Sequence, residues 1–427
     1  MILGRATIAG AGLAGLQAAV TLAQAGVAVT VSDSAARAGG RCRSYRDPAL
    51  NLTIDNGNHL VLSGNRAVAE FRETIGADQP LTGPDHAAFA FVDLASGERW
   101  TVTLSDGRVP WWLLNRSRRV PHTGLRDYAP LLQLLKGGNR PIADVIRAEG
   151  PVWARLLHPV LLAALNTEPA EASAELAANV LAESVMLGGR ASIPRIAVPT
   201  LAAAFIDPAV GWLARNGVPL ATGRRLRAIE DDGTRVTALE WSDGRQVLAA
   251  DEAVVLAVPA WVAAELVPGL AVPTEHRAIL NVHYAAPPPP RAPAMLGLLN
   301  ATSEWVFTHA NRISVTVSAA DRLMDADREE LAQAIWREVV AALGIAAPDA
   351  ETLPPWQVVK EKRATFAATP AQEALRPHPG THLANLFLAG DWVRTGLPAT
   401  IEGSLRSGDN AACLALGKPM RYGLEPC

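Results

Sequence analysis

The first apolar stretch, residues 5–9, is too short for an ordinary helix and reads as a buried strand. Gly10-Ala11-Gly12-Leu13-Ala14-Gly15 follows at once, then a helical pattern over 16–25, Gly26, and a second strand over 27–32 that ends at Asp33. This order describes a strand, helix, strand unit. Near the other end, the apolar run 386–389 stops at Gly390-Asp391, and after Pro398 the segment opened by Ala399 and Thr400 carries Ile401, Leu405 and Ala412 at helical spacing.

Between these ends the pattern changes several times. Residues 85–106 alternate and include turn formers, as antiparallel strands do, whereas 127–187 is mostly helical, with apolar groups at 131–135, 152–165 and 174–187. A helix over 211–216, a strand at 225–230, a hairpin through Asp243-Gly244 and a strand over 253–258 return to mixed character. Pro287 to Pro290 reads as a stiff surface connector. Runs 295–300, 304–308 and 312–318 predict strands of a second sheet, 327–343 an amphipathic helix, and 358–363 a charged edge strand carrying Lys360 and Lys362.

The glycines gain meaning from that context. Gly10 permits the tight turn, Gly12 lets a pyrophosphate approach the backbone beside Leu13 and Ala14, and Gly15 allows the helix to lie close to the sheet. Asp33, 18 residues beyond Gly15, is placed to accept hydrogen bonds from a ribose. Together these predict an adenine dinucleotide site; the alternative is a set of glycines that only tighten the turn. Downstream, Gly39 and Gly40 would let backbone meet phosphate, and Arg41 would supply a forked cation. Asp55-Asn56-Gly57-Asn58-His59 sets polar side chains after a short strand. A helix opening at Thr400 and Ile401 would aim free N–H groups at a ligand in front of it.

Composition narrows the alternatives. A net charge of −3 with 19% charged residues lacks the positive excess that nucleic-acid binding needs. Cys42, Cys413 and Cys427 are odd in number and not spaced as metal ligands, which suits a reduced, cytoplasmic protein. No apolar run reaches the ~18 residues that a spanning helix requires. Trp111 and Trp112 beside Arg116, Arg118 and Arg119 suit peripheral contact with an inner-membrane surface; the alternative is a core tryptophan pair next to a solvated basic turn. Glu168, Glu183 and Asp207 are candidate proton donors, or else caps, paired charges or surface groups.

The fingerprint, Gly39-Gly40-Arg41 and the 55–59 segment together resemble the flavin amine oxidase and phytoene desaturase superfamily. The resemblance implies FAD, with Gly39, Gly40 and Arg41 near the pyrophosphate and Gly57, Asn58 and His59 near the isoalloxazine. It also implies that the Leu226 backbone meets the adenine, and that Gly390, Asp391, Thr400 and Ile401 form a flavin seat. Amine oxidases carry an aromatic two residues before the Glu-Gly of the last helix, where this chain has Thr400. Residues 389–403, with 55–59 and 362–366, look instead like the squalene-associated branch, which contains the hydroxysqualene dehydroxylases.

That resemblance implies a fold of class α/β plus α+β. A discontinuous Rossmann-like FAD domain (1–75, 211–270, 380–418) would be interrupted by a substrate domain of helices and an antiparallel sheet (76–210, 271–379), with a tail at 419–427. The implied reaction is reductive: an apolar polyprenoid, hydroxysqualene, loses its allylic hydroxyl and takes hydride from reduced flavin N5, with an acid protonating the leaving oxygen. The electron donor is unidentified, since no second dinucleotide fingerprint is visible. A carotenoid-type desaturase, a flavin amine oxidase and a prenyl-lipid binding protein without FAD are the alternatives.

Overall fold

A computed structural model describes residues 3–346 and 348–423, so Cys427 lies outside the described residues. Five parallel strands form one sheet in the order Leu220–Thr222, Ala28–Asp33, Arg5–Ala9, Glu252–Leu256 and Leu386–Leu388. Ile8 pairs with Val31 on one side and Val255 on the other, all of them buried, as a sheet covered on both faces demands. Parallel pairing brings Ala9, Asp33, Leu256 and Leu388 to one edge. Ligands of such sheets bind outside that edge.

The helices Leu13–Gln24 and Ile401–Ala415 cross beside this sheet at very short range, because a Cβ on Gly408 would lie 2.1 Å from the Ala14 carbonyl oxygen. The first helix begins three residues earlier than the periodicity predicts. Gly12 is its N-cap, so the glycine loop itself supplies the opening turn.

A second sheet has seven strands in the order Trp356–Phe366, His276–Tyr284, Arg312–Val317, Trp305–His309, Met295–Leu299, Ala88–Asp93 and Arg99–Thr103. It is antiparallel except where Met295–Leu299 runs parallel to Ala88–Asp93. These two strands are remote in sequence, so no hairpin fixes their direction. One face, with Leu280, Val282, Tyr284, Val306 and Val315, packs on Leu331, Ile335, Trp336 and Val339 of the helix Arg328–Leu343. The Asp327 carboxylate caps that helix by accepting from the Glu329 and Glu330 amides.

The opposite face is divided. Phe91, Trp100, Trp305 and Phe307 enter the largest apolar cluster, together with Leu134, Leu161, Leu165 and Leu181 from the 127–187 region. That region is helical only in pieces, Ala129–Leu134, His158–Leu165 and Ala174–Ala182 being the longest, and its apolar residues form packed core. The other half of the face carries Asn281, His283, Arg312, Ser314 and Thr316, all buried. It meets the hairpin of Ser44–Asp47 and Leu52–Asp55, where Arg312 Nη1 donates to the Thr53 carbonyl at 3.0 Å and Nη2 lies 3.7 Å from the Asp55 carboxylate. Asp55 Oδ1 also accepts from Ser44 Oγ at 2.6 Å and the Leu201 amide at 2.8 Å, and burial raises its pKa.

Three expectations change here. Trp111 and Trp112 share one helical turn but part company: Trp111 is 65% exposed, whereas Trp112 is 4% exposed and packs edge-on against Tyr128. Trp112 is therefore core and cannot touch a membrane. Arg119 is half-buried and donates to the Leu113 carbonyl, while Arg116 and Arg118 stay exposed. Lys360 lies on the edge strand as expected, yet its ammonium is not solvated freely: it donates to the Met324 and Ala326 carbonyls at 2.9 and 2.6 Å.

The polar half of the sheet face predicts an acid limb of stability. Burial first, and the Arg312 charge second, push the His283 pKa down to about 3. His283 is neutral in the folded chain, while in the unfolded chain it takes a proton below about pH 6.5. The unfolded state then binds more protons, so stability falls as pH drops from about 6.5 towards 3, by up to about 1.4 kcal/mol per pH unit. His283→Gln, which can still bond Ser314, is expected to flatten this limb; urea unfolding at pH 7 and pH 5 measures the slope.

Candidate cofactor site

Each glycine of the fingerprint has a different neighbour. Gly10 has φ +112°, and a Cβ there would sit 2.2 Å from the Ala257 carbonyl oxygen. A Cβ on Gly15 would lie 1.9 Å from the Gly10 oxygen, so helix and strand touch backbone to backbone. A Cβ on Gly12 would meet nothing within 4 Å. That open space lies in front of a helix whose N-cap makes no side-chain bond and whose first internal amide donor is Leu16, to Gly12 O at 2.9 Å. The Leu13, Ala14 and Gly15 amides are thus left to a ligand, and the helix dipole favours an anion there.

The second glycine loop crosses the first. The Gly39 amide donates to the Ala11 carbonyl at 2.8 Å, and a Cβ on Gly40 would be 3.5 Å from Gly12 Cα. Gly39 and Gly40 both have positive φ, +114° and +55°, which suits glycine. Asp33, at the end of its strand, accepts from the Ala11 amide at 2.6 Å and the Ala35 amide at 2.7 Å, so its carboxylate braces the glycine turn.

Arg41 is also held by protein groups. Its guanidinium forks onto Asp391 at 2.7 and 2.5 Å and donates to the Ala364 carbonyl at 2.6 Å. Asp391 is almost fully buried, whereas the Arg41 side chain keeps 40% of its surface exposed. The pair ties the Gly39-Gly40 loop to the loop that follows the strand Leu386–Leu388.

That second loop is held from behind by Arg376, which the sequence did not single out. Its buried guanidinium donates to Glu373 at 2.8 Å, to the carbonyls of Leu397, Asp391 and Val393 at 2.8, 3.1 and 2.7 Å, and lies over the Phe366 ring. Gly390, at φ +145°, donates its amide to Ser407 Oγ at 2.8 Å. The loop ends at Thr400, the N-cap of Ile401–Ala415, whose hydroxyl accepts from the Gly403 amide at 3.0 Å. Glu402 turns away and caps the helix Arg66–Ile75 through the Ala67 and Val68 amides, both at 3.0 Å.

Gly57, Asn58 and His59 form a turn on the polar half of the seven-stranded sheet. Asn58 Nδ2 donates to Thr316 Oγ1 at 3.0 Å, and His59 Nδ1 lies 3.0 Å from the Gly57 carbonyl, which fixes the ring as an Nδ1 donor. Burial lowers the His59 pKa and favours its neutral form. Leu226 begins the strand Leu226–Asp231 with its side chain buried. The proposed proton donors are not gathered here: Glu168 pairs with His158 at 2.9 Å, Glu183 with Arg406, and Asp207 is exposed in the first turn of a helix.

Two uncapped or singly capped helix ends and a backbone cradle open at Gly12 suit a ligand with a negatively charged middle. Gly12→Val is expected to leave the melting temperature of the apoprotein near the parent value while abolishing FAD retention. Gly15→Val should instead lower the melting temperature, because the Gly10 carbonyl cannot move away. Thermal melts with flavin released on denaturation separate the two outcomes.

Comparison with known proteins gives the family. The sequence profile described as "Flavin containing amine oxidoreductase" matches residues 13–287 and 290–416. A hydroxysqualene dehydroxylase of Rhodopseudomonas palustris is 51% identical, covering 96% of this chain and 97% of its own length. Another from Sinorhizobium fredii is 48% identical over 96% of this chain and 98% of its own. Among solved structures, putrescine oxidase bound to putrescine aligns with TM-score 0.69 at 14% identity, covering 97% of this chain and 99% of that one. Cyclohexylamine oxidase of Brevibacterium oxydans gives TM-score 0.69 at 16% identity, over 98% and 99%. At such identities these structures speak for the fold alone.

Proposed function

The chain belongs to the flavin-containing amine oxidoreductase family and, within it, to the hydroxysqualene dehydroxylases, and from that premise we propose that it reduces hydroxysqualene to squalene. It is an FAD-dependent oxidoreductase. Near-full-length identity to two curated dehydroxylases carries the reading. Thr400 supports it from the site: a helix-capping threonine stands where an amine oxidase would need an aromatic wall for cation–π attraction.

When bound, reduced FAD would supply the hydride that replaces the allylic hydroxyl, the hydroxyl leaving as water once it has taken one proton. A separate reductant would be needed to restore the flavin after each turnover. In this reading the FAD domain comprises 1–75, 211–270 and 380–418, with 76–210 and 271–379 as the substrate domain and 419–427 as the tail. The free amides behind Gly12 hold the pyrophosphate with Gly39 and Gly40, Asp33 the ribose, and the Leu226 backbone the adenine. The Gly57-Asn58-His59 turn, Gly390 and the Thr400–Ile401 helix end seat the flavin ring. Arg41 acts through Asp391, shaping that seat.

The membrane reading is sharper than the tryptophan pair suggested. Trp111, Leu114 and Leu132 are 65%, 63% and 63% exposed, with Leu125, Met186 and Leu187 also exposed. Hydrogen bonds from the Gly189 amide to the Ser105 carbonyl and from the Arg190 amide to the Asp106 carbonyl bring the 186–190 segment beside residues 105–114. Arg108, Arg116, Arg118, Arg126 and Arg190 are exposed around them. Apolar tips among arginines suit shallow, peripheral docking on anionic lipid, where a polyprene would be collected. Among the described residues no helix is long and apolar enough to cross a membrane.

Two measurements test the proposal. Reduced holoenzyme given hydroxysqualene without oxygen should form squalene in a single turnover, read by mass spectrometry; new conjugated double bonds instead would identify a desaturase. Trp111→Ser/Leu114→Ser should weaken flotation with anionic vesicles about ten-fold or more, from ~1.5–3 kcal/mol per buried side chain, and leave the activity towards detergent-dispersed substrate intact.

A further inference from the structure

The strand His276–Tyr284 turns Leu280, Val282 and Tyr284 towards the helix Arg328–Leu343, and Asn281 and His283 towards the other face. Asn281 is only 1% exposed, on the second strand from the edge of the seven-stranded sheet. A buried amide persists there only if its hydrogen bonds are met. Its Oδ1 accepts from Thr316 Oγ1 on the neighbouring strand at 2.8 Å, from the Asn58 amide at 3.2 Å and from Asn58 Nδ2 at 3.4 Å. Asn58 Nδ2 donates more closely to Thr316 Oγ1 at 3.0 Å, so Asn58, Asn281 and Thr316 form a closed triangle.

The same side chain sets the residue type at position 57. A Cβ on Gly57 would lie 2.9 Å from Asn281 Nδ2, and Gly57 has no left-handed φ. Its glycine is therefore favoured by contact with the Asn281 side chain, not by its backbone angles. Gly57 and Asn58 rest directly on this amide, 223 positions away in sequence from Asn58.

We infer that Asn281 is a positioning residue for the flavin ring, fixing the height and tilt of the Gly57-Asn58-His59 turn against the sheet. The inference rests on the reading that this turn faces the ring. Asn281 acts through Asn58 and Gly57, with Thr316 orienting its carbonyl oxygen. An aspartate would not serve equally, because it would lose the amide donor beside Gly57 and bury a charge.

The test uses full-length holoenzyme. Asn281→Ala should raise the FAD dissociation constant about ten-fold, the value of one to two hydrogen bonds, and shift both the flavin absorption band and the midpoint potential. Gly57→Ala alone should also weaken FAD binding, and Gly57→Ala/Asn281→Ala should bind FAD more tightly than the two single losses combined would give, since removing the amide makes room for the methyl. Asn58→Ala separates the inference from the reading beneath it. If Asn58→Ala shifts the band but Asn281→Ala leaves affinity, band and potential at parent values, Asn281 has no such role. If neither variant shifts the band, the turn does not face the ring. Should Asn281→Ala fail to fold, Thr316→Val is the replacement, and an unshifted potential in it overturns the inference.

Discussion

The buried guanidinium of Arg376 decides the path of the chain between the last sheet strand and the last helix. A cation withdrawn from water costs several kcal/mol unless it is paired and hydrogen-bonded, and here it is both. Glu373 supplies the counter-charge from three residues away, and the carbonyls of Asp391, Val393 and Leu397 supply the acceptors. Those carbonyls must turn inward to reach it, which fixes the 391–397 loop as a curve around one planar group. The consequence extends beyond the loop. Asp391 is presented to Arg41, the Gly396 carbonyl accepts from Asn179 at 2.8 Å, and Thr400 arrives where it can cap the helix. One side chain thereby couples the glycine loops, the helical region and the final helix.

Helix ends are used selectively within this frame. Leu13–Gln24 has no side-chain cap and faces open space at Gly12. Ile401–Ala415 is capped once, through Gly403, which leaves its first amides free. The helix Arg66–Ile75 is different, since Glu402 occupies its Ala67 and Val68 amides. That carboxylate removes a competing anion site, and Arg406 balances its charge at 2.8 Å while reaching Glu183 on the far side. The Glu183 carboxylate, attractive in sequence as an acid, is spent in this chain of pairs.

What could be read from sequence was what is local. The strand, glycine turn and helix near the start, the hairpins, and the capped helix at Thr400 are set by neighbours a few residues apart, and their patterns were visible. The helix after Gly12 began earlier than its apolar period suggested because glycine can cap without leaving a periodic mark. Arg376, Glu402 and Asn281 were not visible, since each is defined by partners that the fold brings from elsewhere. Trp111 and Trp112 show the same limit over one bond: adjacent on a single turn, they point in different directions, and only packing on Tyr128 reveals which one is core. Lys360 looked like a solvated edge cation because the carbonyls that bind it lie more than 30 residues away.

The Arg41–Asp391 pair also bears on the chemistry. A buried carboxylate alone beside the flavin seat would oppose the negative charge that reduction places on the ring. Arg41 cancels that charge through two short contacts. In the proposed seat, the N-terminus of Ile401–Ala415 adds a field that favours negative charge by roughly 0.3–2 kcal/mol. The balance suits a protein that must hold reduced flavin until a substrate with a leaving hydroxyl arrives. In the proposed seat position 400 carries no aromatic: Thr400 caps the helix instead, which suits a neutral hydrocarbon better than an amine.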